Sequence, residues 1–196
     1  MGYTHYWTRI KELRNEAFQK VVQDTCRLIV GLEKGGLSLA GPHGDGKPEL
    51  GQDFIAFNGV EDCGHTRREL GITWPSDHAN GIGEDIEIEG QWFAGALLTK
   101  RSCGGDCSHE SFVLPRVFRL REWSEPDEHG RYFDCCKTAY KPYDLAVISC
   151  LLIAKHHLGD DIMLSSDGTP ENWADGVDLV KRVFGYEVVA PGGDEE

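Results

Sequence analysis

Between Tyr143 and Leu158 the chain is apolar on almost every side, with Leu145, Val147, Ile148, Cys150, Leu151, Leu152, Ile153 and Ala154 in one run. A helix without a polar face belongs in an interior, so the rest of the chain has to wrap this segment. Pro142 suits the first helical position, where a missing N–H is no loss, and Asp144 in the first turn meets the positive end of the helix dipole. Gly159 stops the helix after His156 and His157. Strand signals flank it on both sides, Tyr132 to Lys137 before and Ile162 to Ser165 after. Strand, helix and strand joined by short connections predict a crossover with parallel strands, and ligands gather at the carboxyl ends of such strands.

The remaining elements follow from patterning. Tyr3 to Trp7 reads as an aromatic strand, and the stripe Ile10, Leu13, Ala17, Val21, Leu28 and Leu32 as a long amphipathic helix closed by Gly35-Gly36. Leu37 to Ala40, Asp53 to Asn58 and Phe112 to Leu114 are further strands, and Thr169-Pro170-Glu171 opens a last helix carrying Trp173, Val177, Val180 and Phe184. This order predicts an α+β fold: a mixed sheet with two strand-helix-strand crossovers and helices mainly on one face. A single domain over 1–190 is expected, interrupted by a long Gly-rich, lid-like insertion at 60–108 and ended by a disordered acidic tail at 191–196.

Charge and cysteine usage narrow the function classes. A net charge of -13 argues against duplex nucleic acid as a partner, because neutralising phosphates takes clustered Lys and Arg. No apolar run approaches the ~20 residues that span a bilayer, and no secretory leader is evident, so a cytoplasmic protein without a membrane partner is expected. Met1-Gly2 is not a myristoylation signal, since Tyr6 stands where Ser or Thr is needed. Seven cysteines in such a chain read as reduced thiols rather than a disulfide framework. Gly41 to Lys47 matches the spacing of a phosphate-binding loop, but Pro48 replaces the hydroxyl residue and breaks the helix that should follow, leaving a surface turn.

Three constellations carry chemistry. Cys136 is a candidate nucleophile, with His109 as its base and Asp144 or Asp167 as the group that orients it; against this stands a plain buried thiol at a strand end. Lys137, Thr138, Lys141, Ser165, Ser166 and Asp167 crowd the strand ends beside the helix start and would bind a small anion, with His5 in reserve as acid or base; the structural alternative is a closed set of ion pairs. Cys103-x3-Cys107-x-His109, with Cys135 and Cys136 further on, would hold zinc, competing with the first constellation for His109 and Cys136; the alternative is a set of unligated thiols.

Several strings occur together: Gly2-Tyr3-Thr4-His5-Tyr6-Trp7, Phe57-Asn58-Gly59, Ser108-His109-Glu110-Ser111-Phe112, Cys136-Lys137-Thr138, Lys141-Pro142-Tyr143-Asp144, Lys155-His156-His157-Leu158-Gly159 and Ser165-Ser166-Asp167-Gly168. In this combination the chain resembles a family of small hypothetical proteins from tailed bacteriophages and bacterial genomes. The resemblance implies a phage-related origin, and so a host-cell cytoplasm, but no chemistry, and it does not extend over Cys63 to Cys107. Two functions are expected from the residues. One is a phage-type accessory protein whose polar pocket holds, or hydrolyses, a small anionic, nucleotide-like ligand. The other is a non-catalytic module, steadied by zinc, that binds a host protein.

Overall fold

The computed structural model describes residues 3–66, 69–70, 92–93, 96–97, 101–122 and 124–193. Positions 67–68, 71–91, 94–95 and 98–100 of the expected insertion, and the last three residues of the acidic tail, lie outside them. Strand β1 (Thr4–Arg9) alternates, burying His5, Trp7 and Arg9 and leaving Thr4, Tyr6 and Thr8 on the outer face. Helix α1 (Asn15–Lys34) buries Phe18, Val21, Leu28, Ile29 and Leu32 along one stripe and ends at Gly35. The short strands β2 (Leu39–Ala40) and β3 (Glu49–Leu50) precede β4 (Phe54–Gly59). Four two-residue strands follow: β5 (Glu69–Leu70), β6 (Trp92–Phe93), β7 (Ala96–Leu97) and β8 (Arg101–Ser102). After β9 (Phe112–Pro115) and β10 (Tyr132–Lys137) come helix α2 (Asp144–Leu158), a 3-10 turn, β11 (Ile162–Ser166) and helix α3 (Pro170–Phe184).

The α+β class holds, but the sheets are not mixed. Every strand pairing among the described residues is antiparallel. Strands β10 and β11 do run in the same direction, yet β1 lies between them in the order β10-β1-β11, pairing antiparallel with each. The expected crossover therefore passes over one strand, and its two strands are not neighbours. The other helix-containing half is no crossover within one sheet, because α1 leads from β1 to β2 in a second sheet, where β4 pairs with β2, β3 and β9.

The two sheets meet through aromatic rings: Trp7 lies 5.5 Å from Phe112, and Phe57 lies 5.0 Å from the same ring. Helix α2 packs between α1 and α3 and behind β11, buried from Asp144 to Ala154 as its apolar circumference requires. Its contact with α3 is close enough that a Cβ on Gly176 would come within 2.7 Å of Ile148 Cγ1. Helix α3 starts in a capping box between Thr169 and Asn172, with Pro170 at its first position, and stops at Gly185, whose φ of 73° is left-handed. Arg9, buried at the end of β1, donates to the carbonyls of Pro115 and Arg116 and so ties the first sheet to β9; burial pulls its guanidinium down to about 10.

Candidate metal centre and the buried charge network beside it

Strand β4 ends at Asn58-Gly59, and both residues hold the chain that carries Cys107. The Asn58 amide donates to the His109 carbonyl at 2.9 Å, and its oxygen accepts from the His109 N–H at 3.1 Å and the Gly59 N–H at 2.8 Å. Gly59 lies so near that a Cβ there would sit 1.8 Å from the Cys107 carbonyl oxygen, which only glycine permits. The Cys107 N–H donates to Val60 at 3.1 Å. Beyond Val60 the chain turns through Asp62 and Gly64, both at positive φ, and carries Cys63 and His65 to the same place. Gly104 and Gly105, at φ 71° and 91°, fold Cys103 and Cys107 into a tight knuckle.

Four donor atoms converge there: the sulfurs of Cys63, Cys103 and Cys107 and a ring nitrogen of His65, all within 4.8 Å of one another. The Cys63–Cys103 and Cys103–Cys107 sulfur pairs are each 3.4 Å apart, and His65 Nδ1 lies 3.1, 3.6 and 3.4 Å from the sulfurs of Cys63, Cys103 and Cys107. A tetrahedron around zinc with ordinary Zn–S and Zn–N bonds has edges of roughly 3.5–3.8 Å. These five separations lie within about half an ångström of that outline, and three thiols with one imidazole is a common structural zinc set. Cys103 and Cys107 are buried, Cys63 is half-buried, and His65 is exposed. Burial pushes the Cys63 thiol up, but N–H groups of His65 and Cys107 and the two neighbouring thiols outweigh it and leave the group below its ordinary value. The Cys107 thiol is pushed up by burial and by its neighbours. Three thiolates this close repel one another, and a divalent cation is what lets all three ionise together.

Beside the knuckle lies a buried charge network. Arg101, two residues before Cys103, sets its Nε 3.4 Å from Asp144 Oδ2 and donates from a terminal nitrogen to Asp175 Oδ2 at 3.0 Å. Asp144 Oδ1 also lies 2.7 Å from His5 Nε2 and accepts from Thr138 Oγ1 at 2.6 Å. His5, Thr138 and Asp144 are fully buried. Burial pulls the Arg101 guanidinium down, and Asp144 and Asp175 outweigh it, so the group ends above its usual value and stays charged. The Arg101 guanidinium stacks 4.6 Å from the Tyr140 ring centre. Tyr140 and Ala139 are held at φ 57° and 50°, two consecutive non-glycine residues in the left-handed region. Metal knuckle and network are mechanically joined: Lys141 Nζ donates to the carbonyls of Cys103 at 2.9 Å and Asp106 at 2.5 Å, and the Ser102 N–H donates to Tyr140 at 2.9 Å.

The residues expected from the sequence are distributed as follows. Cys103 and Cys107 are members of the donor cluster, but His109 and Cys135 are not; both are exposed, His109 with its main chain clamped by Asn58 and Cys135 on β10. Cys136 is buried and its thiol, pushed up by burial, donates to the Glu110 carbonyl at 3.4 Å, which is the opposite of the setting a thiolate nucleophile requires. The Lys141 ammonium donates to the knuckle carbonyls of Cys103 and Asp106. Ser165 faces outward, the Lys137 N–H donates to Glu110 Oε2 at 2.8 Å, and Asp167 accepts from the Tyr6 hydroxyl at 2.8 Å. His5, Thr138, Asp144 and Ser166 are brought together. Sequence reading did not find Cys63, His65, Arg101 or Asp175. Cys63-x-His65 ahead of Cys103-x3-Cys107 was the available signal for the first two.

No protein-family model, curated protein or solved structure matches the chain.

Proposed function

We propose that this chain is a zinc-steadied binding module in which the metal has a structural role. The observation that carries the reading is the convergence of Cys63, His65, Cys103 and Cys107, whose four donor atoms lie within 4.8 Å of one another. Four protein donors fill a zinc coordination sphere, and a sphere without an open position is that of a structural site. The centre clamps β8 against the Thr138–Lys141 corner through Lys141 and Ser102, and so sets Arg101 between Asp144 and Asp175. The partner class that suits a net charge of -13 is a protein with a basic surface rather than a nucleic acid. All seven cysteines are free, which is consistent with a reducing compartment. No helix among the described residues is long and apolar enough to cross a membrane. The setting we infer is the cytoplasm, that of an infected host if the chain serves as an accessory protein of phage type.

The test is metal content. Native mass spectrometry and elemental analysis of protein purified without added chelator should find one zinc per chain. Cys103→Ser and Cys63→Ser should each lose it, while Cys135→Ser should keep it. Stoichiometric zinc that survives both Cys103→Ser and Cys63→Ser would sink the assignment.

A further inference from the structure

The buried network has a second property that the metal does not need. Its members His5, Asp144 and Ser166 stand on β1, at the start of α2 and at the end of β11, and their side chains form one continuous hydrogen-bonded line. His5 Nε2 lies 2.7 Å from Asp144 Oδ1, and His5 Nδ1 lies 3.1 Å from Ser166 Oγ. The tautomer that satisfies both contacts carries its proton on Nε2, toward the carboxylate, and leaves Nδ1 to accept from the serine hydroxyl. Thr138 at 2.6 Å and Arg101 at 3.4 Å fix the carboxylate from two further sides. The rings of Tyr3 and Trp173, 4.8 and 4.9 Å away and nearly perpendicular, fix the imidazole.

We propose that Ser166 is a nucleophile, with His5 as its general base and Asp144 as the positioning group, acting on uncharged carboxylic esters. Hydroxyl, imidazole and carboxylate in hydrogen-bonding sequence are the parts that nucleophilic acyl transfer requires. The ring is used the opposite way round from the Ser-His-Asp template, with Nδ1 toward the hydroxyl, and the relay from hydroxyl to carboxylate is unbroken. The placement fits the task. Ser166 closes β11 and is half-buried while His5 and Asp144 are fully enclosed, so the member that must meet substrate is the one nearest solvent. A turn of Asp167 and Gly168 then leads directly into α3, a strand-to-helix corner of the kind that presents nucleophiles. Gly168 is required at that corner because a Cβ would lie 2.6 Å from the Tyr3 ring. The net charge of -13 and the exposed Asp167 beside Ser166 disfavour an anionic substrate.

The proton has a place at each stage. The single Ser166 hydroxyl proton has two acceptors in reach, the Thr4 carbonyl at 3.2 Å and His5 Nδ1 at 3.1 Å, and the step uses the rotamer that donates to His5, while Oγ accepts the Gly168 N–H at 3.0 Å. As Oγ bonds to the ester carbonyl carbon, its proton passes to His5 Nδ1, and the imidazolium is held against Asp144. The tetrahedral adduct then collapses, the carbon–alkoxide bond breaks, and the departing oxygen takes the proton from Nδ1 and leaves as the alcohol. Water adds to the acyl-serine, gives one proton to Nδ1, and releases the carboxylic acid as Ser166 Oγ recovers that proton. The Gly168 N–H supports the negative charge on Oγ in both transfers.

The experiment uses the zinc-loaded full chain, a fluorophosphonate probe and p-nitrophenyl acetate. We expect a single probe adduct, mapped to Ser166, and ester hydrolysis that falls about 100-fold or more in Ser166→Ala. His5→Gln should lose labelling while a Ser166→Ala control of equal zinc content and equal circular dichroism shows that the fold survives at the nucleophile itself. Wild-type protein that takes no probe at Ser166, or Ser166→Ala that hydrolyses the ester as fast as wild type, overturns the proposal. Zinc measured on the same samples keeps this outcome separate from failure of the metal centre.

Discussion

A methyl group at Gly59 would lie 1.8 Å from the Cys107 carbonyl oxygen, so that one hydrogen atom governs how near the knuckle can come to β4. Gly59→Ala should weaken zinc binding and lower the melting temperature, whereas Gly51→Ala, whose Cβ would meet only Phe54 O at 3.8 Å, should change zinc binding little. A chromogenic zinc-release titration of the two variants checks the difference. Arg101 poses the electrostatic counterpart. Removing it as Arg101→Ala leaves Asp144 and Asp175 buried without their cation, and breaking a buried pair in this way costs about 3–5 kcal/mol. Urea unfolding should report a loss of that size, and a loss under 1 kcal/mol would mean that the network contributes nothing net. At this scale the sequence was half legible. Cys103 and Cys107 stand four positions apart and declare themselves, but His65 is 38 positions from Cys103, and adjacency drew attention to His109 instead. Charge partners such as Arg101 and Asp175, 74 positions apart, leave no local trace at all.

Among the elements, α2 was the most legible because its apolar circumference admits only one environment. Helices α1 and α3 were legible from their stripes and stops, and β1, β4, β10 and β11 from composition and turns. What could not be read was who pairs with whom. A local strand-helix-strand pattern suggests adjacent parallel strands, and nothing in Tyr132 to Ser166 announces that Thr4–Arg9 will enter between them. The α2–α3 contact offers a test at the same scale. Gly176→Val places side-chain atoms where Ile148 Cγ1 would be 2.7 Å from the new Cβ, and overpacking of this kind costs roughly 1–3 kcal/mol. Adding Ile148→Ala should recover part of the loss, so that the double variant is more stable than Gly176→Val alone in urea. Independent, additive effects would show that the two helices do not meet there.

For the whole molecule the metal and the core stabilise different things. The core of α2, Trp7, Phe112 and Trp173 is assembled without the knuckle, while the knuckle depends on four donors, Cys63, His65, Cys103 and Cys107, that an unfolded chain would scatter. Zinc at about 1,000 times its dissociation constant adds about 4 kcal/mol, which for a chain of this size corresponds to about 8–16 °C in melting temperature. Removing it with a chelator should lower the transition by that order and leave the far-ultraviolet dichroism of the helices nearly intact. Restoring one equivalent of zinc should reverse the shift. A chelator that leaves the melting temperature unchanged would show the centre to be dispensable.

The position of β1 has a consequence for how the chain comes into being. Residues 4–9 are synthesised before both strands that flank them, which lie at 132–137 and 162–166. Strand β1, with Trp7 and Tyr6 along it, must therefore wait with both edges bare until those two strands are made. Nascent chains stalled before Ile162 should be the ones that chaperones retain, and release should come only once the final strand has emerged.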